Sequence, residues 1–130
     1  MTHHPMYCSP NHREPLKKNK DCQRDTTYLQ GILEDMVYQN GVDFYITGHL
    51  HNYERDAPIY RNVTIQSEID KKNYYKNPQA PIHIVSGAAG NDHEHNDPLS
   101  PTPSLWNNFY SLEYGSGRMI IYNSTHALWE

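Results

Sequence analysis

Two histidines one residue apart follow an apolar run: GHLHNYER, Gly48–Arg55, comes directly after VDFYIT, Val42–Thr47. A second histidine pair, His3 and His4, stands in MTHHP at residues 1–5. Neutral imidazole is a nitrogen donor suited to zinc, iron and similar cations, so histidines gathered in one place point to metal chemistry. Val42–Thr47 reads as a strand from its β-branched and aromatic content. Alternate strand residues share a face, so His49 and His51 would point the same way if extended geometry continued past Gly48. Gly48 reads as the residue that lets the chain leave the strand and bring backbone close to something. Adjacent strand residues point to opposite faces, so His3 and His4 are not expected to serve one ion together. His4 is therefore read as packing or facing solvent.

The elements that must position these histidines follow from periodicity. From Thr26, apolar residues at Leu29, Ile32, Leu33, Met36 and Val37 fall on one helical face. Asp25 or Thr26 can cap its start, and Asn40-Gly41 can stop it with a left-handed residue. The sequence MTHHP reads as the end of a strand that Pro5 terminates, and PIHIVSGAAG, Pro81–Gly90, as another short strand ending in glycines. In α/β architectures the ends of neighbouring strands converge on one site, which would bring His3 to His49 and His51. Within the second strand His83 alternates with Ile82 and Ile84 and is read as a polar-face residue, and His126 as a structural hydrogen-bonding residue. Ile59–Gln79 reads as a hairpin and an exposed loop, and NDHEHNDPLSPTPS, 91–104, as a loop; its His93, His95 and acids could chelate a metal, but a flexible acidic loop is the favoured reading. Residues 109–130 read as three short strands turning at Gly115–Gly117 and Asn123–Ser124.

Composition narrows the function classes. The 130 residues allow one ordinary domain. Their apolar content is 36%, or about 41% with the 7 glycines, below the ~45–50% of self-sufficient domains. The formal charge is -4, with no basic run longer than KKNK at 17–20, which argues against nucleic acid as a partner. Protonating all 9 histidines would bring it to +5. No apolar stretch approaches the ~20 residues of a membrane span. The N-terminus shows neither the basic nor the apolar region of a signal peptide. Cys8 and Cys22, the only cysteines, flank 13 residues rich in charge and proline, a loop that a disulfide could close for roughly 3 kcal/mol. Asn62-Val63-Thr64 and Asn123-Ser124-Thr125 have the form of glycosylation acceptors. Together these features predict a secreted or lysosomal setting, with the leader outside this chain.

HHPMYCSPNH and GHLHNYER resemble the fourth and fifth signature blocks of the purple acid phosphatases, within the metallophosphoesterase superfamily. The resemblance continues through PIHIVSGAAG and into YGSGRMIIYNSTHALWE, so it spans nearly the whole chain in order. It implies an α/β fold: the C-terminal half of a four-layer α/β/β/α metallophosphoesterase sandwich with a mixed sheet. Residues 1–58 would carry a metal-ligand half-site and 59–130 the C-terminal strands and loops. His3 and His49 would bind a divalent ion (zinc, manganese or iron) and His51 an Fe(III) ion. His12 would contact the substrate phosphate and assist catalysis. Arg13 takes the place of a second histidine and could hold phosphate without delivering a proton. Tyr53, Glu54 and Arg55 would buttress the histidine loop.

The implied activity is hydrolysis of phosphate monoesters at acidic pH by a dinuclear metal centre. The family's D-x-G, G-D-x-x-Y and G-N-H-(D/E) blocks, which supply the carboxylates, asparagine and tyrosinate, do not occur in this sequence. Two cations without a carboxylate between them would repel. The chain alone is therefore expected to be inactive, to need the missing N-terminal half of the domain as partner, and to aggregate or fold partially by itself. Two other readings remain: a related metallophosphodiesterase, and a non-catalytic secreted fragment binding one metal or none.

Overall fold

Leu29, Leu33 and Val37 fold as expected on one side of a helix, 26–39 (α1), and pack on the core. Ile32 and Met36 do not join them; each is 54% exposed. The reason is local. The turn Gln30–Glu34 is π-helical, wider than an α turn, so the residues in and after it are rotated and Glu34 is buried instead. The helix ends where Asn40-Gly41 predicts: Gly41 is left-handed (φ 63), its N–H donates to the Tyr38 carbonyl, and the Val42 N–H donates to that of Val37. That pairing is a Schellman stop, and it delivers the chain straight into the first strand. Thr26 is already helical. The computed structural model describes residues 1–9, 26–65, 75–90 and 104–130, so Asp25, the alternative cap, lies outside the described residues.

Among the described residues seven strands follow: β1 Phe44–Thr47, β2 Tyr53–Tyr60, β3 Val63–Thr64, β4 Ile82–Ser86, β5 Asn107–Ser111, β6 Met119–Asn123 and β7 His126–Trp129. Five form a mixed sheet in the order β1-β4-β2-β3, with β5 also paired to β2. β1 and β4 are parallel, with Ile46 opposite Ile84; the other pairs are antiparallel. The near-continuous apolar run of β4 fits a strand covered on both faces: Ile82, His83, Ile84 and Val85 are all buried. β2 and β3 are joined through Arg61 and Asn62, both left-handed, as a two-residue hairpin turn requires. β2 crosses residue 58, so the parts before and after it share one sheet. β6 and β7 form a separate hairpin. It is moored by the Trp129 indole N–H, which donates to the Tyr53 hydroxyl at 2.9 Å.

Two expectations about strands change. Met1–Pro5 is not a strand; His3 and His4 lie in a bend. The segment still runs along the free edge of β1, because the Thr2 N–H donates to the Ile46 carbonyl and the Gly48 N–H to that of His3, both at 3.1 Å. His83 is not on a polar face. It is 3% exposed, with its ring edge-on to Tyr7 at 4.8 Å and tilted against Tyr45 at 5.3 Å. Alternation misled there because both faces of β4 are covered.

The main core gathers Met6, Tyr7, Val37, Tyr45 and Ile59, flanked by Leu29, Leu33 and Trp106. Its polar clasp is Tyr7. The Tyr7 hydroxyl donates to Glu34 Oε1 and accepts the Asn62 N–H at 3.0 Å, while the same Glu34 oxygen accepts the Arg61 N–H at 2.8 Å. Burial, and then the Glu34 carboxylate, push the Tyr7 phenol well above its usual range. Tyr7→Phe removes a donor from a buried carboxylate and an acceptor from a turn amide, a loss of about 2 kcal/mol. The expected readout is faster hydrogen exchange at the Arg61 and Asn62 amides; unchanged exchange would remove Tyr7 as the link between α1 and the hairpin.

Candidate metal centre

The site is built where β1 ends. After Thr47 the chain does not continue extended. The Leu50 N–H donates to the Gly48 carbonyl at 2.7 Å and the Asn52 N–H to the Leu50 carbonyl at 2.9 Å, so 48–52 folds into two tight turns. Leu50 is buried in a small cluster with Cys8 and Val85, which fastens the middle of the loop to the sheet. His49 takes a left-handed conformation (φ 63), uncommon outside glycine, which turns its ring towards the 3–4 bend.

There the rings meet. His49 Nδ1 lies 3.2 Å from His3 Nε2, a hydrogen bond in which one imidazole donates and the other accepts. The ring centres are 4.8 Å apart for His3 and His4, 5.0 Å for His3 and His49, and 4.1 Å for His4 and His49. Among the described residues, His3, His4 and His49 form the group able to hold a metal, with one nitrogen from each inside 4.8 Å. His51 lies outside this group. Strand alternation, which would place it with His49, is interrupted by the turns at 48–52. The same rule points His4 away from His3, and it fails in a bend. Pro5 carried the available signal, since proline ends extended pairing, but no spacing rule says where the rings then go.

Three imidazoles with no carboxylate fit one borderline divalent cation. They do not fit two, because no described carboxylate joins the group to hold like charges apart.

The backbone around the group is tied down on both sides. Glu54, 1% exposed, accepts the Ser9 N–H at Oε2 (3.1 Å) and the Asn107 side-chain amide at Oε1 (2.9 Å). It thereby fixes the segment after His3-His4 to β5. Arg55 stacks its guanidinium against Tyr75 and Phe109, 5.8 and 5.9 Å from the ring centres. Behind Glu54 on the same strand face, Asp56 is fully buried, and burial first, then the Glu54 carboxylate, raise it well above the usual carboxylate range. A cavity of about 210 Å³ opens at the same strand ends, walled by Tyr53, Ser86, Phe109, Ser111 and Tyr114.

Cys8 is disulfide-bonded and buried. Cys22, His12 and Arg13 lie outside the described residues, as do His93 and His95. Asn62 is exposed at the β2–β3 turn, and Asn123 is exposed with its Oδ1 accepting the Thr125 N–H and hydroxyl at 2.8 and 2.9 Å. No helix among the described residues is long and apolar enough to cross a membrane.

Comparison with known proteins gives one consistent picture. Residues 80–130 match the family described as iron/zinc purple acid phosphatase-like protein C. Acid phosphatase type 7 of Danio rerio is 36% identical over 134 residues, covering 100% of this chain and 30% of that protein. Acid phosphatase type 7 of Homo sapiens is 36% identical over 129 residues, covering 97% of this chain and 28% of that protein. A purple acid phosphatase from yellow lupin (Lupinus luteus) seeds superposes with a TM-score of 0.73 at 27% identity, over 98% of this chain and 21% of the lupin chain. This chain therefore spans less than a third of the length of each.

Proposed function

Because this chain belongs to the purple acid phosphatase family and matches its C-terminal portion, we propose that it supplies part of the metal-binding centre of an acid phosphatase acting on phosphate monoesters. The observation that carries the reading is the 3.2 Å approach of His3 and His49, from segments 46 residues apart, at the end of a mixed sheet. His3 and His49 would hold the divalent ion (zinc, manganese or iron), and His51 the Fe(III) ion. When bound, such a pair supplies Lewis-acid charge to a phosphoryl group and lowers the pKa of a water molecule. The chain's own residues do the positioning. Leu50 and Cys8 pack water away from beneath the histidine loop, Glu54 holds the 3–9 segment against β5, and Arg13 and His12 would face the phosphate. The cavity beside Tyr53 offers room for the ester's organic group.

On this reading residues 1–58 form the metal-ligand part and 59–130 the supporting strands. The carboxylate, asparagine and tyrosine donors named above are absent from the sequence, so these residues alone would be inactive and would act together with the rest of the catalytic domain. The oxidised Cys8 supports a secreted or lysosomal setting, with Cys22 as its partner and with Asn62 and Asn123 as accessible acceptors for glycans.

The test is p-nitrophenyl phosphate hydrolysis in mildly acidic buffer, with metal per chain measured by elemental mass spectrometry. The expected outcome for these 130 residues is no turnover and fewer than two metals per chain. Two metals with turnover would overturn the assignment of only part of the centre to this chain.

A further inference from the structure

We propose that His4 completes a three-imidazole site with His3 and His49, and that the chain binds one zinc-type divalent ion there without donors from elsewhere. This goes beyond the phosphatase reading and does not depend on it. A tetrahedral zinc with Zn–N bonds of about 2.0–2.1 Å places its nitrogen donors about 3.3 Å from one another. His3 and His49 already stand at 3.2 Å. The three donor atoms lie within 4.8 Å of one another, so bringing the His4 nitrogen to tetrahedral spacing from both partners shortens neither remaining edge by more than about 1.5 Å, within reach of a change in side-chain torsions.

The backbone beneath the rings is already set. The His3 carbonyl accepts the Gly48 N–H at 3.1 Å. The His4 carbonyl accepts the Thr2 hydroxyl at 3.1 Å and the Tyr45 hydroxyl at 3.5 Å. Both residues are thus pinned to β1 and to the core tyrosine beneath it. The left-handed backbone of His49 brings the third ring over them. The rings are not stacked: their planes meet at 86°, 74° and 46°, so they fan about a common region. His3 is exposed and the other two half-buried, which leaves an entry path and an open fourth position for water. Nitrogen donors without carboxylates select zinc, cobalt or copper over calcium and magnesium.

The experiment is zinc titration calorimetry on the tag-free 130-residue chain, with cobalt(II) absorption as a report of tetrahedral geometry. One ion per chain is expected. His4→Ala is expected to weaken zinc by at least the roughly 10–100-fold that loss of an outer-shell partner costs, and to remove the tetrahedral cobalt bands. His51→Ala is expected to leave both unchanged. Should His4→Ala fail to fold, X-ray absorption on the zinc-loaded wild type decides by counting imidazoles. Three imidazoles there, all retained in His51→Ala, support the site. Wild-type affinity in His4→Ala, a loss in His51→Ala equal to that in His3→Ala, or a wild-type chain shown by circular dichroism to be folded that binds no zinc would each overturn it.

Discussion

Gly87→Ala is expected to dislodge the histidine loop. A Cβ at Gly87 would fall 1.9 Å from the Leu50 carbonyl oxygen and 2.9 Å from its carbon, both backbone atoms that no side-chain rotation can move away. The Gly87 N–H also donates to the Asn52 carbonyl at 3.1 Å, so the end of β4 is stapled to the loop where alanine would force them apart. Overpacking of this kind costs about 1–3 kcal/mol, and the lost hydrogen bond about 1 more. Leu50 would leave its cluster with Cys8 and Val85, and His49 would move with it. The variant should lose protection from hydrogen exchange at the 50–52 amides and lose zinc binding. Gly48→Ala is the control: nothing lies within 4 Å of a Cβ there. The sequence points to Gly48 as the close-approach glycine, and the structure gives that role to Gly87. Equal exchange and zinc affinity in the two variants would show that the tight approach of β4 does not hold the loop.

The second large effect is a dependence of stability on acid. Burial pushes His83 down from 6.5 to about 3. Between those values the unfolded chain binds a proton that the folded chain refuses. The contribution of neutral His83 is therefore complete above pH 6.5 and is lost as pH falls towards about 3. At about 1.4 kcal/mol per pH unit, the loss over the interval is roughly 4–5 kcal/mol. Asp56 acts in the opposite sense. Its folded pKa is raised, so the protonated form contributes stability that is complete below the unfolded carboxyl value and fades as pH rises through the folded one. Just above the unfolded carboxyl value the two groups therefore act in opposite directions. Chemical denaturation followed by the fluorescence of Trp106, whose ring lies 5.5 Å from Tyr7, should therefore separate them. His83→Leu is expected to remove the loss below 6.5, and Asp56→Asn to steepen it. Variant curves running parallel to the wild type across this range would sink the assignment.

Where the sequence spoke clearly, one local rule acted without competition. Asn40-Gly41 could end a helix in few ways, and Val42–Thr47 led directly into β1. The turns at Gly115–Gly117 and Asn123–Ser124 likewise divided β5, β6 and β7 near the expected positions. Where it misled, a tertiary partner had replaced the local rule. His83 alternates with isoleucines as an exposed residue would, yet Tyr7 and Tyr45 cover its face. Ile32 and Met36 complete an apolar stripe on an ideal helix, but the π-helical turn rotates them outward. Tyr53–Arg55 read as a buttress for the histidine loop, and Glu54 does tie Ser9 to Asn107, but from a strand that periodicity had not announced.

The sequence by itself determined the inventory: which histidines could donate to a metal, that β1 would end at a histidine loop, and, through its ordered motifs, the family. Those properties depend on residue identity and short spacing, which the chain carries explicitly. Only the tertiary structure decided which rings meet. His3, His4 and His49 converge because a bend replaces a strand at one end, two tight turns replace it at the other, and Gly87 lets β4 press against Leu50. Each of these depends on contacts between segments tens of residues apart, and alternation along a single strand cannot encode them.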